Sequence, residues 1–164
     1  VSKTYAMTGW RIGWLVGPKE IIKVCSNIQG QSTSHATSFA QKGAEIALTS
    51  SQDEVEKMCR VFAERAKLLS QLLKEIPGID FIPPQGTFYL FAKVSAYYGK
   101  KTSEGKEIKD SVSFSEYLLD SARVAVVPGI AFGNDEFVRI SFANSEENLK
   151  KAVIKIKEAL GKLK

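Results

Sequence analysis

Between residues 55 and 76, apolar side chains recur at helical spacing: Val55, Met58, Cys59, Phe62, Ala66, Leu69, Leu73 and Ile76. Residues three and four apart share one face of a helix, so this stripe predicts a single long amphipathic helix. Pro77-Gly78 stops it. Just before it, Ser51-Gln52-Asp53-Glu54 reads as a capping box, in which the serine oxygen accepts a backbone N–H and Glu54 reaches back. A helix of this length is a natural connector, and it divides the chain into two lobes.

On its N-terminal side, residues 11–16 (Arg-Ile-Gly-Trp-Leu-Val) read as a short strand closed by Gly17-Pro18. Residues 19–28 read as a helix, 29–37 as a polar loop, and 38–48 as a second, alanine-rich helix. On the C-terminal side, residues 79–82 and 87–94 read as strands flanking the turn Pro83-Pro84-Gln85-Gly86. Residues 95–110 form a polar excursion without periodicity, 113–122 a helix, and 124–127 a short strand ending at Pro128-Gly129. Residues 137–142 read as another strand, with Val138, Ile140 and Phe142 on one face and Arg139 and Ser141 on the other. Asn144 and Glu147 suggest a capping box for the closing helix, which is expected to bury Leu149, Ala152, Val153, Ile156, Leu160 and Leu163. Interleaved strands and helices define an α/β layered architecture.

Composition removes several function classes. With 44% hydrophobic and 25% charged residues, the 164-residue chain is neither disordered nor fibrous. No apolar run approaches the ~20 residues needed to span a bilayer as a helix, so no membrane partner is expected. The net charge of +5 invites a nucleic-acid reading. Yet Lys100, Lys101, Lys106 and Lys109 alternate with Glu104, Glu107 and Asp110, and the remaining cluster decorates the polar side of the last helix. A solvated surface accounts for both, and no nucleic-acid partner is expected. Cys25 and Cys59 are too few for a disulfide scaffold and are expected to be reduced, buried thiols of a cytoplasmic protein. With one histidine, His35, no metal centre is expected. The chain starts Val1-Ser2-Lys3, with neither an initiator methionine nor a signal-peptide pattern, and is expected to be part of a longer polypeptide.

One strand residue stands out chemically. Arg139 lies between two apolar residues of a half-buried strand, and charged side chains are almost never buried unless paired. From the residues alone, a structural ion pair is the simplest explanation.

Four segments, in order, resemble the class I/II (fold-type I) aminotransferases that depend on pyridoxal phosphate. Ser2-Lys3-Thr4-Tyr5-Ala6-Met7-Thr8-Gly9-Trp10-Arg11-Ile12-Gly13 is similar to the family's cofactor-lysine motif, with an arginine eight positions after the lysine and glycines around it. Gln31 to Gln41 looks like the polar loop and helix start that approach the partner subunit, with Ser34, Thr37 and Gln41 as contact candidates; hydroxyl capping of the helix explains them equally well. Pro84-Gln85-Gly86-Thr87-Phe88-Tyr89 resembles the turn whose glycine and phenylalanine lie close to the substrate. Val138-Arg139-Ile140-Ser141-Phe142-Ala143 resembles the strand whose arginine binds the substrate's α-carboxylate, and Val126-Val127-Pro128-Gly129 with Phe132-Gly133 resembles a further small-lobe segment.

The resemblance implies a C-terminal part of the fold-type I aminotransferase fold. Residues 1–50 would complete the large cofactor lobe, 51–76 would form the connecting helix, and 77–164 the small α/β lobe. It implies that Lys3 is catalytic and binds pyridoxal 5'-phosphate together with Ser2 and Arg11. An amine can condense with an aldehyde, and a guanidinium fork can grip a phosphate. Arg139, Gly86 and Phe88 would bind substrate. The implied activity moves an amino group between an L-amino acid, with aspartate favoured, and a 2-oxo acid such as 2-oxoglutarate, in a homodimer. A pyridoxal-dependent lyase or synthase on the same fold, or a catalytically silent binding fragment, remain open alternatives.

Overall fold

The long apolar stripe folds as one helix. In the computed structural model, which describes residues 1–164, α3 runs Asp53–Lys74. The Ser51 hydroxyl accepts from the Asp53 backbone N–H (3.2 Å), whereas Glu54 lies beside Lys57 (3.5 Å), so the expected reciprocal box is not formed. The chain divides into two compact units, Val1–Met58 and Cys59–Lys164, with the boundary inside α3.

The first unit carries α1 (Lys19–Ser32) and α2 (Ser38–Thr49). Residues 11–16, expected as a strand, have no regular structure. The four-stranded sheet lies entirely in the second unit, so these residues have no ladder to complete. Helix α1 continues to Ser32, into the expected loop, because Gly30 weakens a helix without the backbone clash by which a proline would end it. No residue of α1 is buried, and α2 buries only Ala40 and Ala44. Cys25 and Cys59 are both free and exposed, correcting the expectation of buried thiols; each sits on the outward side of its helix.

The second unit is a four-stranded antiparallel sheet in the order β1-β2-β4-β3, with β1 at Asp80–Phe81, β2 at Tyr89–Lys93, β3 at Val127–Pro128 and β4 at Phe137–Ser141. Both edge strands are two residues long. Leu90, Ala92, Val138 and Ile140 form the buried face of the two central strands. They share a core with Leu69 and Leu73 of α3, Phe114 and Leu118 of α4 (Ser111–Ala122), and Leu149, Val153 and Ile156 of α5 (Glu146–Leu160). Strand periodicity then fixes the opposite face: Tyr89, Phe91 and Lys93 on β2, and Phe137, Arg139 and Ser141 on β4.

Two caps differ from expectation. Helix α4 begins two residues early because Asp110 and Ser113 form a reciprocal capping box (Ser113 N–H to Asp110 Oδ1, 2.7 Å). Ser145, not Asn144, caps α5, accepting from the Asn148 N–H (3.2 Å). The excursion over residues 95–110 is anchored by Ile108, which is fully buried, and by Tyr98, whose hydroxyl donates to the Asp135 carbonyl. No helix is long and apolar enough to cross a membrane.

Candidate active site

The candidate residues fall into two sets, one in each unit. In the first unit, Ser2 is half-buried and Lys3 exposed, on a turn closed by the Tyr5 N–H to the Val1 carbonyl (3.1 Å). The Tyr5 hydroxyl donates to Gln52 Oε1 (2.9 Å), tying this turn to the residue before α3. After a short 3-10 turn at Thr8–Trp10, Arg11 takes a left-handed conformation (φ 50°) and Nη1 donates to the Thr8 carbonyl (3.1 Å). The left-handed residues of this segment are therefore Ala6 (φ 53°) and Arg11 itself, and not the flanking glycines. Trp10 lies edge-on to Phe39 (6.4 Å) and covers Gly43, where a Cβ would come within 2.4 Å of its ring. The segment thus carries a primary amine, a hydroxyl and a guanidinium, groups of the types that suit an anionic aldehyde.

Ser34, Thr37 and Gln41 lie at the start of α2. Thr37 makes no side-chain cap bond, so hydroxyl capping does not account for it; Gln41 Nε2 instead donates to the Ala36 carbonyl (2.7 Å).

In the second unit, Arg139 is half-buried on the sheet face opposite the core, directly across from Phe91 on β2 and Val127 on β3. The ion pair expected from the residues alone is not there, since none of the chain's salt bridges uses Arg139. Its guanidinium carbon instead lies over two rings, 4.6 Å from the centre of Phe132 and 5.0 Å from that of Tyr89. Phe91 stacks on Phe137 (4.8 Å, 10° between planes) and meets Phe132 edge-on (6.1 Å, 90°). Further along the same face, Lys93 pairs with Glu136 (2.9 Å).

The turn before β2 differs in detail from its expected form. Gly86 is exposed, and a Cβ there would meet nothing within 4 Å. Thr87 carries the left-handed conformation (φ 65°), and its hydroxyl bonds to both the Tyr89 carbonyl (3.1 Å) and the Tyr89 N–H (3.3 Å). Phe88 packs its ring against the core, and its carbonyl accepts from the Phe142 N–H (2.8 Å). Tyr89 and Phe132 are the site residues that sequence reasoning passed over. Two-residue alternation already puts Tyr89 and Phe91 on one face, but only the β2–β4 register sets them beside Arg139.

The family model for aminotransferase class I and II matches residues 1–156. The chain belongs to this family. It is 46% identical over 163 residues to the "Probable aspartate/prephenate aminotransferase" of Rickettsia prowazekii, covering 99% of this chain and 41% of that protein. It is 45% identical to the "Bifunctional aspartate aminotransferase and glutamate/aspartate-prephenate aminotransferase" of Petunia hybrida, covering 99% of this chain and 35% of that one. The crystal structure of the Rhizobium meliloti aspartate aminotransferase superposes with a TM-score of 0.94 at 44% identity, over 99% of this chain and 41% of the other. The mixed α/β fold is that of a part of these aminotransferases, and the chain spans well under half the length of the relatives it matches.

Proposed function

We propose that this chain is the C-terminal part of a pyridoxal 5'-phosphate-dependent aminotransferase that moves an amino group between an L-amino acid, aspartate foremost, and a 2-oxo acid such as 2-oxoglutarate. Arg139 carries the reading: a half-buried cation with no carboxylate partner in the chain, held over two rings on the sheet face away from the core. A substrate α-carboxylate is the bidentate partner that such a guanidinium lacks. In this reading residues 1–50 finish the cofactor lobe, 51–76 connect, and 77–164 form the small substrate lobe.

The donor set of residues 2–11 fits the cofactor: a primary amine for its aldehyde, and a hydroxyl and guanidinium for its phosphate. When bound, pyridoxal phosphate supplies an electron sink for the pair released at the substrate's Cα. Lys3 Nζ would hold it covalently and, once displaced by the substrate's amine, would be free to take the proton from Cα and return one during transfer. Ser2 and Arg11 would hold its phosphate through hydroxyl and guanidinium donors. Arg139 would orient the substrate through both carboxylate oxygens. Gly86 and Phe88 bound the substrate from the neighbouring turn. Two free, exposed thiols suit a reducing cytoplasm. The apolar side chains that α1 and α2 leave exposed, Ile21, Val24, Ile28 and Ile46 among them, fit helices that finish a larger cofactor lobe, and the whole protein is read as a homodimer with Ser34, Thr37 and Gln41 near the subunit contact.

The test uses the longer protein that contains this chain. Loaded with pyridoxal phosphate, it should convert L-aspartate and 2-oxoglutarate to oxaloacetate and glutamate. Lys3→Ala should abolish both the reaction and borohydride-trapped cofactor. Trapping that survives Lys3→Ala overturns the assignment of the lysine, and release of free ammonia in place of amino transfer points to the lyase alternative.

A further inference from the structure

We propose that Phe132 and Tyr89 are positioning residues for Arg139, holding its guanidinium flat so that its in-plane N–H donors face the substrate carboxylate, and that the pair formed by buried Ser111 and half-buried Asp135 fixes the turn that presents Phe132. The inference deepens the carboxylate-binding reading of Arg139 and rests on it.

Rings are suited to this task. A carboxylate placed against a guanidinium would occupy the same planar fork that a substrate needs. An aromatic face engages the weakly hydrated π-face of the group and leaves its five N–H donors in the plane unspent. Two rings within about 5 Å also remove rotamers that the long side chain would otherwise sample, so less entropy is lost when a carboxylate docks.

The position of Phe132 is itself built. It ends a short 3-10 turn, Gly129–Phe132, and is 48% exposed, so burial does not hold it in place. The turn does. Gly129 is buried where a Cβ would come within 2.2 Å of the Phe137 carbonyl oxygen and 2.3 Å of that of Asn134. The Gly133 N–H donates to the Ile130 carbonyl (3.1 Å) and the Asn134 N–H to that of Gly129 (3.2 Å). From outside the turn, the fully buried Ser111 hydroxyl donates to Asp135 Oδ1 (2.6 Å) and accepts from the Ile130 N–H (3.3 Å). The Ser111 N–H gives Asp135 a second bond (3.2 Å), clasping the first residue of α4 to the turn. The Phe91–Phe137 stack then backs the ring edge-on from the sheet.

The experiment measures maleate, a dicarboxylate without a reactive amine, binding calorimetrically to the cofactor-loaded longer protein, with the melting temperature recorded for each variant. Phe132→Leu keeps apolar bulk but loses the ring, and should weaken maleate by roughly five- to tenfold. Phe132→Tyr should restore binding, and Tyr89→Leu should reproduce the loss. Ser111→Ala should weaken maleate by a smaller factor while Arg139 is intact. With aspartate as substrate, Phe132→Leu should raise KM more than it lowers kcat. Nitrogen relaxation of the Arg139 Nε–H, measured without substrate, should report a more mobile side chain in Phe132→Leu than in Phe132→Tyr. Unchanged maleate affinity and unchanged Arg139 mobility in both ring-deleting variants overturn the clamp. If Arg139→Ala also binds maleate normally, the carboxylate-anchor reading fails with it; if Arg139→Ala loses maleate while the ring variants do not, only the clamp fails.

Discussion

The two units hold apolar residues in similar proportion but use them in opposite ways. Cys59–Lys164 assembles twenty buried residues into one core between its sheet and helices. Val1–Met58 buries only Ala40 and Ala44 among its hydrophobic residues and leaves Trp14, Leu15, Val16, Ile21, Val24, Ile28 and Phe39 exposed. Periodicity is as good in α1 as in α5, yet only α5 has a sheet to lie on. An amphipathic stripe is thus a request for a partner surface, and the contrast shows which unit meets that request internally.

The contrast can be broken outright by separating the halves. Residues 59–164 expressed alone should unfold cooperatively, with protected amides in β2 and β4, whereas residues 1–58 alone should show no cooperative transition. A sharp calorimetric transition for the 1–58 peptide would remove the distinction. Glycine substitutions sharpen it next. Gly129→Ala would press a methyl group onto two backbone oxygens, and should cost about 3 kcal/mol or more in denaturant unfolding of the longer protein. Gly43→Ala in α2 meets only the ring of Trp10, itself 45% exposed and able to swing aside. That change should cost less than ~1 kcal/mol, because alanine favours the helix, and should register as a shift in tryptophan fluorescence.

Smaller effects separate the helix starts. Asp110→Ala removes a reciprocal box and should cost about 1 kcal/mol, while Thr37→Ala, with no cap bond to lose, should be nearly silent. The bonds from Ser113 also hold the Asp110 carboxyl below its usual range, so the stability it contributes is present above pH ~4 and is lost as pH falls further. At the alkaline end, burial and then the nearby Asp135, Asp110 and Glu136 charges push Tyr98 up to about 12 from 10.0. Its neutral form stabilises the fold fully below pH 10, and that contribution is lost as pH rises toward 12. A stability profile that bends downward over this interval, and flattens in Tyr98→Phe, checks the assignment.

Much of the second unit was legible because its signals are local. The α3 stripe, the alternation across Val138, Ile140 and Phe142, and the closing-helix pattern all reappear, apart from the half-buried Ala152. Residues 11–16 misled because a β-like composition cannot specify a strand without a neighbour to pair with. The 95–110 segment was opaque because one buried isoleucine and two tyrosines, far apart in any period, anchor it. For the candidate site, only Arg139 stood out by its own chemistry, as a charge on a half-buried strand, whereas Lys3 and Arg11 were singled out by the motif they share with the family. The rings around Arg139 were hidden because their role depends on register and on a turn forty residues from Tyr89, and neither is written in any short window.

The sheet's outline has a consequence for how this protein behaves in concentrated solution. Its outermost strands are two residues each, and one of them contains Pro128, which has no N–H to offer. A second copy approaching edge to edge would find too few backbone groups in line to continue the ladder. The aromatic-rich face around Arg139 is thereby carried on a sheet that does not grow by recruiting its neighbours, and it stays open to small molecules at concentrations where a longer-edged sheet would begin to polymerise.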